Sequence, residues 1–227
     1  MISAFWEMFK PLYAVDTLEG YTENEIAYLK ELFGALPRVL EDYYRAAGRT
    51  KAFHCVQDTW MLPGHFQKWE WLREPDYLIL LNENQGVCQA GIRREDLMLP
   101  DPSVYVTEDD KNWALCAPTT SEFLSAALAY EGVFTFEYNP EEFYWLTEEE
   151  LGLIQSKLTK LPFEMTNWLC GMRITLYSNE PDNMVAVMDC GDWGLHRDGD
   201  LQMLYGAASE ASYARLMSVL EGVGEAI

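Results

Sequence analysis

The chain is poor in positive charge: 16 Lys and Arg stand against 37 Asp and Glu, and the 227 residues carry a formal net charge of -21 at pH 7. Such a field repels nucleic acid and anionic lipid, and it attracts basic surfaces. The composition therefore disfavours binding to nucleic acid or to a membrane surface. A purely solubilising role for the excess carboxylates is the alternative interpretation.

Paired cysteines and long apolar runs are also lacking. The five cysteines are odd in number, widely spaced and never arranged as Cys-x-x-Cys, which argues against a disulfide framework and a zinc site. The first seven residues lack the basic start and apolar stretch of a signal peptide, and no later segment is apolar enough to cross a bilayer. We expect reduced thiols and a cytoplasmic location. The cysteines are Cys55, Cys88, Cys116, Cys170 and Cys190.

The usual signatures of catalysis are missing as well. The three histidines, His54, His65 and His196, have no metal-ligand spacing. The sequence has no Gly-x-Ser-x-Gly elbow, no Gly-x-x-x-x-Gly-Lys phosphate loop and no Gly-x-Gly-x-x-Gly after a strand. We therefore expect no enzyme activity, no catalytic residue, no metal and no cofactor.

What is present predicts a globular α+β chain. Nearly half of the residues are apolar, and they include eight Trp, thirteen Tyr and ten Phe. Threonine and glutamate three residues apart predict helix starts at Thr22, Thr119 and Thr147, and a further helix is expected near residues 37–47. Since helices and strands do not alternate regularly, we predict one α+β domain over residues 1–227, with a mixed or antiparallel sheet flanked by helices.

Several segments have the patterns of strands. The continuous apolar run at residues 77–81 is typical of a central strand, and Cys88, Ala90 and Ile92 alternate as in a hairpin partner. A short edge strand is expected at residues 104–106, after Pro102. The last third predicts an antiparallel set followed by a terminal helix, with strands near residues 172–177, 184–188 and 201–205 and the helix near residues 209–221.

The densest polar cluster is the segment 189–200, which has two interpretations. It is a glycine-rich hairpin connection, or it is a cation or acid/base site formed by Asp189, Asp192, His196 and Asp198. The spacing does not match a calcium loop, so the structural interpretation is favoured. A tryptophan beside acidic groups also suits a basic target, so the candidates for partner binding here are Asp192, Trp193, Asp198 and Asp200.

Two other features leave alternatives open. Trp69 and Trp71 either form an exposed aromatic anchor for a partner or belong to the core. The second interpretation is favoured in a chain with so many aromatic residues. The acidic runs at residues 108–110 and 148–150 are solvated charge or part of a binding surface.

Four short motifs, read in order, resemble the SUKH superfamily of Smi/Knr-like proteins. They are Leu36-Pro37 with Tyr43-Tyr44 and Gly48, then Glu83-Asn84-Gln85-Gly86-Val87, then Asp101-Pro102-Ser103-Val104, then Trp113 ahead of Ser121-Glu122-Phe123-Leu124. Their order over residues 22–135 carries the resemblance. The family often has two prolines where this chain has Pro102-Ser103, and an aromatic near residues 88–91 that is missing here. Residues 145–227 match no motif, so an elaborated C-terminal half is expected.

The resemblance implies a non-enzymatic protein. Bacterial members look like immunity proteins for toxins that are often nucleases or deaminases, and eukaryotic members look like regulatory scaffolds. The motif positions Asn84, Gln85, Gly86, Asp101 and Trp113 thereby become candidates for partner binding. The leading hypothesis is an immunity-type protein that binds a basic toxin through an acidic surface. A regulatory scaffold is the alternative, and a metal-assisted hydrolase at Asp189, Asp192 and His196 is the least favoured.

Overall fold

The structure is a computed structural model that describes residues 3–54, 56–191, 193–196 and 199–227. It contains helices and two sheets in which every strand pairing is antiparallel. The α+β class predicted from the sequence is confirmed.

The first sheet has the strand order β1-β2-β3-β4-β5 and is a simple meander. Its strands are β1 (Thr59–Trp60), β2 (Tyr77–Asn82), β3 (Gln89–Arg93), β4 (Val104–Thr107) and β5 (Ala114–Ala117). The predicted hairpin between β2 and β3 is confirmed, with Tyr77 opposite Arg93 and Asn82 opposite Gln89. The predicted strand at residues 104–106 is confirmed as β4, but its predicted edge position is wrong, because β4 pairs with both β3 and β5. The segment after Trp113 forms the edge instead.

The second sheet has the order β11-β6-β10-β9-β8-β7. Its strands are β6 (Tyr144–Leu146), β7 (Thr159–Asn167), β8 (Met172–Ser178), β9 (Asn183–Asp189), β10 (Leu201–Ala207) and β11 (Glu225–Ala226). The three strands expected in the last third are β8, β9 and β10, and they are confirmed as an antiparallel set. β6 pairs with the other side of β10, so the sheet continues beyond these three strands.

Three helices, α2, α5 and α6, begin where the threonine spacing predicts. Thr22 and Glu25 form a reciprocal capping box, as do Thr147 and Glu150, and the Thr119 hydroxyl accepts the backbone N–H of Glu122 at 3.2 Å. In α7, which has four residues, two residues have non-helical backbone angles, so this segment is a tight turn. The helices are α1 (Ser3–Trp6), α2 (Glu23–Phe33), α3 (Arg38–Ala46), α4 (Pro63–Lys68), α5 (Thr120–Val133), α6 (Glu148–Lys157), α7 (Trp168–Gly171) and α8 (Glu210–Val219).

Helix α5 lies at the centre of the molecule. Residues 123–133 are all buried, and the helix contacts β5 of the first sheet and β7 to β10 of the second. A helix that is buried all round needs small or apolar side chains on every face, and this one supplies three alanines, Ala126, Ala127 and Ala129. Its Glu131 is the exception, a carboxyl group with an exposed fraction of 0%.

The second sheet is covered on both faces, as β9 shows. Successive side chains of a strand point to opposite faces. Met184, Ala186 and Met188 belong to the larger core, which also contains α5 and the first sheet. Val185 and Val187 belong to a smaller core that contains residues of α6 and α8. This double burial explains the continuous apolar run in β9.

The two sheets meet at the edge strands β5 and β7. The Thr166 hydroxyl donates to the carbonyls of Leu115 and Cys116 at 3.1 and 3.0 Å, and the Asn167 amide donates to Leu115 at 2.8 Å. Side chains from β7 thus satisfy carbonyls that β5 leaves unpaired at its edge.

Candidate functional site

A groove of about 620 Å³ lies beside the beginning of β2. Three segments form it: the turn before β2, the start of β3 and the connection between β4 and β5. We call this site the acidic groove. Its lining residues are Trp71, Glu74, Pro75, Asp76, Tyr77, Gln89, Asp110, Lys111 and Trp113.

The connection between β4 and β5 is folded around Asp109. Its carboxylate accepts the backbone N–H groups of Asn112 at 2.7 Å and of Lys111 at 3.0 Å. These hydrogen bonds, the one from Asn112 first, lower the pKa of Asp109 to about 2. Asp109 therefore fixes the loop that carries Asp110 and Trp113 into the groove.

Two tryptophans in the groove are each supported by another ring. Trp113 stacks on Tyr77 with ring centroids 3.6 Å apart and an interplanar angle of 6°. Trp71 stacks on Trp69 at 6.3 Å and 17°, and Trp71 keeps an exposed fraction of 50%. Because the supporting rings restrict the tryptophans before any ligand arrives, a ligand gains ring contact with little loss of side-chain entropy.

The charges in the groove are mostly negative. Glu74, Asp76 and Asp110 are exposed carboxylates, and Lys111 is the single cationic residue of the lining. Asp110 accepts a hydrogen bond from the Gln89 amide. Within the described residues, the carboxylates of Glu74 and Asp76 make no hydrogen bond or ion pair, so they are available to an external donor.

Of the predicted partner-binding residues, Trp113 lies in the acidic groove. Asn84, Gln85 and Gly86 form an exposed turn between β2 and β3, at the opposite end of β2 from Tyr77. The turn needs the φ of +73° that Gly86 adopts.

Asp101 supports the start of α5. Its carboxylate accepts the backbone N–H of Ser121 at 2.9 Å and the Ser121 hydroxyl at 2.6 Å. These bonds satisfy first-turn groups of the helix, which is a structural task. The side chain nevertheless borders a second cavity of about 590 Å³ beside α3 and α5.

The remaining predicted residues belong to the connection between β9 and β10, in the other sheet. Trp193 has an exposed fraction of 37%, whereas Asp200 has 2%. Asp200 accepts the backbone N–H groups of Leu195 and His196 at 3.0 and 2.9 Å, so this buried carboxylate stabilises the connection. Asp192 and Asp198 lie outside the described residues. The structure does not bring Trp193 into the acidic groove.

Sequence reasoning missed the carboxylates of the groove. Glu74 and Asp76 follow Trp71 within five residues and precede a buried strand, which was the available signal. Asp110 belongs to an acidic run for which the sequence left solvated charge and binding open. Of the two tryptophans expected mainly in the core, Trp69 is half-buried and Trp71 is exposed.

A second set of carboxyl groups is buried, and it supports the turn at residues 84–86. Glu83 accepts the backbone N–H groups of Gln85 at 2.8 Å and Val87 at 3.1 Å. Asp58 accepts the N–H of Asn84 at 3.2 Å. The backbone of the turn is therefore hydrogen-bonded to two buried carboxyl groups, Asp58 and Glu83.

Asp58 in turn contacts Glu131 of α5. The Glu131 carboxyl accepts the backbone N–H of Asp58 at 3.0 Å, so the two acids are neighbours in the interior. Two negative charges this close in the interior are unfavourable, which favours the protonated form of one carboxyl group. Burial, followed by the charge of Asp58, raises the pKa of Glu131, and burial raises the pKa of Asp58. We assign the proton to Glu131, whose Oε1 is buried without a hydrogen-bond partner among the described residues.

The part of the chain that the structure describes holds no group of three or more His, Cys, Asp or Glu side chains placed to bind a metal ion. Asp189 is exposed at the end of β9, and Asp192 falls outside this part. Among the described residues, no helix combines the length and hydropathy that a membrane crossing requires.

Comparison of the chain with models of known protein families, with curated proteins and with solved structures finds no match. The resemblance to the SUKH superfamily therefore stays a prediction. The function is therefore inferred from the residues and charges of the site itself.

Proposed function

We propose that this chain is a non-enzymatic, immunity-type protein of the SUKH kind, which binds a basic toxin in the cytoplasm and neutralises it. The observation that carries the proposal is the acidic groove, where supported tryptophans lie beside carboxylates that pair with no cation of the described residues. Charge complementarity increases the association rate, and a buried aromatic contact supplies much of the affinity in many interfaces.

The distribution of the chain's own cations supports this choice of site. Several of the arginines pair with acids of the N-terminal helices: Arg38 with Asp42 at 3.0 Å, Arg45 with Glu23 at 2.6 Å, and Arg49 with Glu25. Within the described residues, no ion pair involves the carboxylates of the groove, and Arg94, which approaches this segment, donates to the carbonyl of Pro75 at 2.7 Å. A partner that supplies cations there removes an unfavourable concentration of like charge.

A toxin that acts on nucleic acid has the surface that this site requires. Its active face must attract phosphates, so it is rich in Lys and Arg. A protein of charge -21 occupies such a face by complementarity and excludes the nucleic acid. The nuclease or deaminase class is therefore the proposed target class.

The experiment has two stages. The purified protein is used to capture partners from its native organism at low and then moderate salt, and each captured protein is expressed with and without this chain. We expect a basic protein that salt releases, because screening weakens exposed charge pairs. Its expression alone should stop growth, and co-expression of this chain should restore growth.

Capture of a non-toxic regulator would contradict the immunity proposal and favour a regulatory scaffold. The immunity proposal would also be contradicted if the captured protein is a toxin and co-expression of this chain does not restore growth. A chain with the double substitution Glu74→Gln and Asp76→Asn is the control for the site, and it should restore growth less well than the native chain.

A further inference from the structure

We propose that the acidic groove is a binding site for an arginine side chain, which stacks on tryptophan and pairs with Glu74 and Asp76. This inference rests on the proposed function only for the source of the arginine, a surface residue of the partner. The chemistry that recognises the guanidinium group belongs to this chain alone.

The first argument is the available ring surface. Tyr77 covers one face of Trp113, and within the described residues no second ring stacks on the other. Trp71 likewise has one supporting ring and is half exposed. A cation over a tryptophan face is attracted by the ring quadrupole, and tryptophan is the strongest of the aromatic side chains in this respect.

The second argument is that the same sheet already holds an arginine in this way. The guanidinium carbon of Arg93 lies 4.1 Å from the ring centroid of Tyr105. Arg93 Nε donates to the Tyr77 hydroxyl at 3.3 Å. Tyr105 packs edge-on against Tyr77, which stacks on Trp113. An external arginine on Trp113 would repeat this contact where the series of rings borders the groove.

The third argument concerns the carboxylates. Glu74 and Asp76 are separated by Pro75, whose fixed φ restricts the segment that carries them. Both carboxylates are exposed and line the same groove as the tryptophans. A guanidinium group offers five N–H donors in a planar fork, so it bonds carboxylates in the plane while its face stacks on a ring. An ammonium group is a more strongly hydrated point charge and does not stack.

Lys111, the one cation of the lining, does not occupy the site. Within the described residues it makes no ion pair and no cation–π contact with either tryptophan of the groove. An incoming guanidinium group therefore meets the ring faces and the two carboxylates without displacing an internal cation.

The test measures, by calorimetric titration at physiological ionic strength, the affinity of the full chain for three peptides: hexa-arginine, hexa-lysine and hexa-citrulline. Citrulline keeps the shape of arginine and removes its charge. We expect hexa-arginine to bind at least about threefold more tightly than hexa-lysine, and hexa-citrulline to bind least.

The variants separate the groove from the general negative field. The double variant Glu74→Gln, Asp76→Asn should lose about tenfold in affinity for hexa-arginine. The charge-matched control Glu148→Gln, Glu149→Gln removes two exposed carboxylates at the start of α6 and should lose less than about twofold.

A matched pair of tryptophan variants tests the ring contact. Trp71→Leu should lose about fivefold, because the stacking surface is removed, while Trp193→Leu, in the connection of the other sheet, should bind as the native chain does. Trp71 is half exposed, so its replacement leaves the fold intact and the comparison remains valid if Trp113 variants fail to fold.

Two results would overturn the arginine site. In one, the groove variant and the charge-matched control lose the same affinity, which would mean that the peptide senses only the net charge. In the other, hexa-lysine binds as tightly as hexa-arginine. Neither result contradicts the proposed immunity function, which the captured toxin and the growth of co-expressing cells decide separately.

Discussion

The molecule uses carboxyl groups in two contrasting places. Glu74 and Asp76 lie on the surface of the acidic groove with no partner among the described residues, whereas Glu83 and Glu131 are buried and accept hydrogen bonds. A buried carboxyl must be satisfied by donors or by its own proton, because isolated charge in the interior is very unfavourable. An exposed one is stabilised by water. Substitution of the buried carboxyl groups should therefore change stability, and substitution of the exposed ones should change binding.

The largest expected effect is on the buried side. Glu83→Ala removes the acceptor for the N–H groups of Gln85 and Val87, and we expect the free energy of unfolding to fall by about 2–3 kcal/mol. Urea unfolding followed by circular dichroism measures it. The control is Glu74→Ala, in the groove, which should change stability by less than about 0.5 kcal/mol. Equal losses in the two variants would contradict the contrast.

The second effect is a pH dependence that originates at Glu131. Its pKa in the folded protein is raised above the ordinary carboxyl value, so the folded state binds the proton more tightly than the unfolded state. This contribution is complete below the ordinary carboxyl pKa, and it is lost as pH rises through the folded-state pKa.

Glu131→Gln keeps a neutral group in place at every pH and should remove that loss. We expect the difference in free energy of unfolding between Glu131→Gln and the native chain to grow in favour of the variant, by on the order of 2 kcal/mol, as pH rises from about 5 to about 9. Unfolding curves across this range test it. If the native chain and the variant show parallel pH profiles, Glu131 is not protonated in the folded protein.

The third effect compares the two tryptophans of the predicted partner-binding set. Trp113 stacks on Tyr77, so Trp113→Leu should cost about 1–2 kcal/mol of stability. Trp193 lies in a loop with an exposed fraction of 37%, and Trp193→Leu should cost less than about 0.5 kcal/mol. Thermal unfolding of both variants measures the difference. A larger loss for Trp193 would show that the loop, and not the groove, holds the better-packed ring.

The smallest effect on stability belongs to the double variant Glu74→Gln, Asp76→Asn. Because neither carboxylate has a partner in the part of the chain that the structure describes, we expect a change within about 0.5 kcal/mol. We expect a slight gain at low salt, where like-charge repulsion is least screened. Denaturation at two salt concentrations tests this expectation. A marked loss of stability would mean that the groove carboxylates carry structure as well as charge.

The sequence predicted those elements whose signals are local. A threonine and a glutamate three residues apart define the starts of α2 and α6, and the apolar runs define β2 and β9. Such signals operate within a few residues, so no knowledge of the rest of the fold is needed.

The elements that the sequence did not predict depend on distant partners. β6 has three residues and exists because β10 and β11 flank it. β7 contains Pro162, and its pairing with β8 shifts between Lys160 and Glu164, so its pattern is interrupted. Proline removes a backbone donor and so weakens the periodic signal of a strand.

The candidate site was only partly predictable for the same reason. Trp113 was identified, but its role follows from Tyr77, which lies 36 residues earlier in the sequence. Trp71 looked like a core residue by composition, and only the tertiary structure decides its exposure. The carboxylates of the groove come from segments that the fold brings together around β2 and β3.

The central claim is that the acidic groove, rather than the net charge, recognises a basic partner. The most direct measurement is the association of the captured partner with three forms of the protein: the native chain, the Glu74→Gln, Asp76→Asn variant, and the charge-matched Glu148→Gln, Glu149→Gln variant. The account predicts affinity about tenfold weaker for the groove variant, with a smaller salt dependence, and near-native affinity for the control. Equal affinity of the two variants for the partner would contradict it.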